Sequence, residues 1–81
     1  MIAMRFKALD TVVLERDVPE KGLRRGDLGA VVQIYDPDGL EVEFVTASGR
    51  TQAVLTLRES DVRSIGDRDL ITVRTVERGA A

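Results

Sequence analysis

The chain has no cysteine and no histidine. Without cysteine no disulfide supports a small core, and nothing points to an oxidising compartment. Without either residue there is no Cys-His or Ser-His-Asp nucleophile and no ordinary zinc site. No side chain titrates near neutrality without a large shift. Lys7, Lys21 and Tyr35 are all that the sequence offers of lysine and tyrosine. The inventory for an active site is therefore nearly empty, and neither enzymatic activity nor a cofactor is expected. Tryptophan is absent too, and Phe6, Phe44 and Tyr35 are the aromatics. A groove for proline-rich peptides needs several aromatic rings side by side, and a platform for single-stranded nucleic acid needs rings on which bases stack. Neither can be built from three dispersed residues. No apolar run is long enough to span a bilayer. Met1 to Met4 is apolar but brief, and Arg5 and Lys7 follow it, which inverts the order of a secretory signal. A cytoplasmic protein that makes no membrane contact is expected.

What is present is a short, evenly punctuated series of strand patterns. Eighty-one residues make one domain with a modest core. Asp10 to Leu14 reads as a first strand, and Glu15 to Asp27 as a long loop turned by Pro19, Gly22 and Gly26. In that loop Leu23 is the one large apolar residue at the centre, suited to anchor it. Gly26-Asp27-Leu28-Gly29 leads into a second strand, Leu28 to Tyr35, whose Leu28, Ala30, Val32 and Ile34 form the face assigned to the core. Gly26 and Gly29 are expected to serve the fold through positive φ or a close backbone approach. Asp36-Pro37-Asp38-Gly39 signals a turn. Leu40 to Thr46 then alternates Glu41 and Glu43 with inward Val42 and Phe44. Ala47 to Arg50 is a second hairpin turn and Thr51 to Leu57 a fourth strand. Arg58 to Asp61 suits a single 3₁₀ turn, and Val62 to Ile65 a short fifth strand. The expected core is Val12, Leu14, Leu28, Val32, Ile34, Val42, Phe44, Leu55, Leu57 and Val62.

Five short strands, a long loop after the first and a helical turn before the last are the layout of an all-β, SH3-like barrel. It is assigned to residues 10–65, after an N-terminal lead at residues 1–9. Residues 66–81 read as a polar linker, an extra strand at Leu70 to Val76 and a frayed end. A lone strand leaves its backbone groups and apolar side chains without partners. This one is expected either to dock on its own barrel or to pair across a homodimer.

Two motifs invite chemistry and fail. The glycine-rich loop lacks the lysine and Ser/Thr of a P-loop and enters a strand instead of a helix. Asp36, Asp38, Glu41 and Glu43 miss the ligand spacing of a calcium loop. The remaining candidate is the basic cluster Lys21, Arg24 and Arg25 around Leu23, on a loop of the kind that often carries binding residues. With Tyr35 at a strand end, these residues form the expected partner-binding surface. The net charge of −2 and the acids of the third strand argue against nucleic acid as the main partner.

Several segments together resemble a family of short, stand-alone bacterial proteins of unknown function. They are Leu9 to Leu14, Asp17 to Leu23, Gly26 to Val32, Tyr35, Glu41 to Val45 and Ser60 to Arg63. Similar loops occur in nitrile hydratase β-subunits, in the stromal barrel subunit of photosystem I and in KOW-motif ribosomal and transcription proteins, all SH3-like barrels. The resemblance implies that fold and supplies no catalytic residue. The expected function is a non-catalytic protein-interaction module. A KOW-like RNA-associated module and an accessory subunit of an enzyme or redox complex are the alternatives.

Overall fold

A computed structural model describes residues 5–76. The fraying expected at Glu77 to Ala81 lies outside the described residues. Five strands form one antiparallel sheet: β1 (Thr11–Leu14), β2 (Leu28–Tyr35), β3 (Gly39–Val45), β4 (Thr51–Arg58) and β5 (Val62–Ser64). Their spatial order is β4-β3-β2-β1-β5. The protein is all-β, with 3₁₀ turns at Pro19–Lys21 and Glu59–Asp61. The second turn stands where the sequence places it. Its Asp61 carboxylate accepts the Arg58 N–H at 2.9 Å, holding the chain as it leaves β4. The first forms inside the long loop. Pro19 fixes the opening φ, and Gly22 at φ 72° ends the turn.

A single sheet without a covering helical layer must curl to exclude water from one face. Here Val12 and Leu14 of β1, Leu40, Val42 and Phe44 of β3, Leu57 of β4 and Val62 of β5 meet in one buried cluster. Leu23 and Val18 join it from the loop, where a bridge between them closes a small hairpin. Leu23 thus anchors its loop as expected. Phe6 is also in the cluster, and Arg5 lies over its ring at 5.0 Å from the centroid.

The register of β2 corrects the expected core. Val31 pairs with Val42 and is fully buried, whereas Leu28 and Val32 are 37% and 40% exposed. The inward face at the start of the strand is therefore Gly29 and Val31. A bulge between Val31 and Gln33 then changes the phase, so that Ile34 packs against the core further along. Gly29 explains the choice. A Cβ there would stand 2.6 Å from Val42 Cγ1 and 2.9 Å from Phe44 Cε2, so β3 side chains occupy its place. Gly26 serves the loop differently, at φ 98°. Leu55, also assigned to the core, is half-buried at its edge.

The expected extra strand is not formed. Residues 65–76 follow β5 as an arm that turns at Gly66–Asp69 and is assigned to no strand of the sheet. Among the described residues, no backbone–backbone hydrogen bond joins Leu70 to Val76 to the sheet. Val13 points away from the main cluster yet is only 5% exposed, and it lines a groove of about 840 Å³ shared with the arm. β1 is thus covered on both faces, by the core on one side and near the arm on the other.

Candidate interaction surface

The Gly22–Asp27 loop is shaped by its own carboxylates. Asp27 accepts the Arg24 N–H at 2.7 Å, and Asp17 accepts the Arg25 N–H at 2.9 Å. These side-chain acceptors replace a regular ladder where the chain turns. The Gln52 amide reaches across from β4 to the Lys21 carbonyl at 3.0 Å, tying the loop to the sheet.

The arm attaches to this loop at one point. Arg74 Nε donates to Asp27 Oδ1 at 2.9 Å, and its Nη2 donates to Asp27 Oδ2 and to the Gly22 carbonyl at 3.1 Å. The planar guanidinium fork matches a carboxylate in this way, which an ammonium group does not. Val76 lies nearby, with its Cγ1 3.3 Å from where a Cβ on Gly22 would sit. Burial pushes the Asp27 carboxyl up, but the Arg74 guanidinium and the Arg24 N–H outweigh it and hold the pKa below its ordinary value. The same pair raises Arg74.

A second clip fixes the start of the arm. Arg63 on β5 donates twice to Asp69, at 2.9 Å each, and Asp69 also accepts the Gly66 N–H at 2.6 Å. The Arg63 hydrogen bonds, then that of Gly66, lower the Asp69 pKa to about 2. Glu15 sits between Arg63 and Arg25, at 3.7 and 3.8 Å. Between the clips the arm's apolar side chains are left in water: Leu70 is 88%, Ile71 64% and Val73 96% exposed. They continue an apolar surface formed by Leu28, Val45 and Ile65 at the groove.

The expected site residues divide. Lys21, Arg24 and Arg25 are exposed on the loop, whereas Leu23 is buried beneath it, at the wall of the groove. Arg25 is committed to Glu15, while Lys21 and Arg24 form no ion pair among the described residues. Tyr35 stands at the far end of β2 from the loop, roughly 20 Å along the strand at its usual rise. It donates to Glu41 at 2.6 Å, which raises its pKa. The residues missing from the expected site are Asp27, Arg63, Asp69 and Arg74. Arg74 had a signal, as the lone charge in an apolar, β-branched run. The acids gave none, because nothing local distinguishes Asp69 from the polar linker around it.

Among the described residues no group of acids can hold a metal ion, and no helix is long and apolar enough to cross a membrane. Fold and surface define a small all-β protein whose loops and C-terminal arm are pinned by arginine–carboxylate pairs. The family model described as Domain of unknown function (DUF4926) matches residues 8–64, and the chain belongs to that family. No curated protein and no solved structure matches it. Gly22 and Asp27 lie within the matched residues, and Arg74 lies outside them.

Proposed function

We propose that the chain is a non-catalytic protein-interaction module, an SH3-like curled sheet acting in the cytoplasm. Its contact surface is the groove side of the molecule. The observation that carries this reading is that exposed apolar side chains, Leu28, Val45, Leu70, Ile71 and Val73, line the groove together with Arg24, which forms no ion pair among the described residues, while Lys21, likewise without an ion pair there, stands on the adjoining turn. An exposed apolar patch rimmed by charge is the usual form of a protein-binding surface. The other arginines of this side, Arg25, Arg63 and Arg74, are matched by Glu15, Asp69 and Asp27. The net charge of −2 and the acids Glu41 and Glu43 of β3 speak against a KOW-like role.

Affinity capture from the source organism tests the reading, with the wild-type chain and a Lys21→Glu/Arg24→Glu variant as baits. A protein held by the wild type and lost by the variant supports it. Equal capture by both baits, or none, counts against it. Fluorescence anisotropy with single-stranded RNA at physiological salt should find no tight binding. Submicromolar affinity with a steep salt slope would turn the assignment to nucleic acid.

A further inference from the structure

The arm is held by the Gly22–Asp27 loop through Arg74. We propose that the Gly22–Asp27 loop is an arginine seat, and that in solution it takes the 70–76 arm of a second copy, so that two chains exchange arms. The seat is complete within the loop. The Asp27 carboxylate is fixed by the Arg24 N–H and the Gly22 carbonyl stands beside it, so together they accept one guanidinium. Charge and shape complementarity thus name the ligand as an arginine on a segment outside the sheet, and this chain carries such a segment.

Three observations point to exchange between copies. First, the arm makes no backbone–backbone hydrogen bond to its own sheet among the described residues, so leaving it breaks no ladder. Second, docking within one chain leaves Leu70, Ile71 and Val73 in water, with nothing among the described residues to cover them. When two arms cross at a two-fold axis, Leu70 and Ile71 of one copy meet those of the other. The crossing takes Leu70 and Ile71 out of the water in which intrachain docking leaves them. Third, the Arg63–Asp69 clip fixes the chain just before Leu70, so the turn at Gly66–Asp69 is kept in both arrangements. The seat contacts are the same in both, and the crossing contacts are gained only by exchange. The inference requires no foreign partner. It can fail while the capture experiment succeeds, and the reverse.

The test uses charge exchange between purified full-length chains, read as molar mass by light scattering at tens of micromolar. The wild type should run at twice the chain mass, falling to the single mass on dilution. Asp27→Arg and Arg74→Asp should each give the single mass alone, because the seat repels the arm in both arrangements. An equimolar mixture of the two should return to the double mass, since each variant's arm fits only the other's seat. The mixture cannot be rescued by intrachain docking, so recovery is specific to exchange. A wild type of single mass throughout, variants that keep the double mass, or a mixture that stays at single mass would each overturn the proposal.

Asp27 also shapes its loop, so a second measurement leaves it intact. A Val73→Cys chain carrying a spin label is mixed with ¹⁵N-labelled wild type. Broadening of the Gly22 to Asp27 amides of the ¹⁵N copy is expected, and its absence would reject exchange.

Discussion

Between Phe6 and Val62 one cluster of apolar side chains, each no more than 8% exposed, leaves water, and the ion pairs Arg5–Glu59 and Arg16–Asp61 lie outside it. Between Ile65 and Val76 the arrangement is reversed: the apolar side chains stay in water and the ion pairs make the attachment. The difference is one of cooperativity. Burial shared among packed neighbours is lost all at once, and each core residue supports the others. Two separate arginine clips can open one at a time, against the modest free energy of a partly exposed pair. The body is therefore the cooperative unit, and the arm is held to it by its two clips.

This contrast breaks most sharply at Phe44, which is 2% exposed and central to the cluster. Phe44→Ala should destabilise the protein by about 3–5 kcal/mol in chemical denaturation, a large share of what a domain of this size has. Gly29→Val comes next. Its added side chain would meet Val42 and Phe44 inside van der Waals distance, and overpacking of this kind costs about 1–3 kcal/mol. A melting midpoint equal to the wild type would show that the close packing at Gly29 is not a constraint.

In the arm the effects shrink and become local. Arg74→Ala should change the unfolding free energy at low protein concentration by about 1 kcal/mol or less, while altering the chemical shifts of Gly22 to Asp27. Raised salt should imitate it, because exposed pairs are screened and buried apolar contacts are not. The smallest effect is that of acid. The Asp69 pKa lies at about 2, below its ordinary 3.8, so its clip contributes fully above the ordinary value. That contribution is lost as pH falls from about 4 towards 2. Over that range the Gly66 and Asp69 amide signals should move. If they stay fixed while the strands unfold, the turn is not held by this carboxylate.

The sequence was readable where its pattern had one solution. β3 alternates Glu41 and Glu43 with Val42 and Phe44, so its inward face was unambiguous, and the Asp-Pro-Asp-Gly turn set its start. β2 is apolar in both phases from Leu28 to Val32, and alternation could not choose between them there. Gly29 decides the phase by admitting the β3 side chains, a contact that exists only once the two strands are in register. The arm failed for a related reason. Ile71, Val73 and Val76 have strand composition, but a strand needs a ladder partner, and no property of the segment itself supplies one. On the surface, the exposed loop cations were legible as Lys21, Arg24 and Arg25. The Asp27–Arg74 pair, 47 positions apart, was not.

Native-state hydrogen exchange on the full-length chain at low concentration tests the division between body and arm most directly. Amides of β1, including Val12 and Leu14, should exchange only through global unfolding. Those from Leu70 to Val76 should exchange at nearly the unprotected rate, and Arg74→Ala should leave β1 protection unchanged. Arm amides as protected as those of β1, or β1 protection that falls with Arg74→Ala, would show that the arm belongs to the cooperative core and would contradict the account.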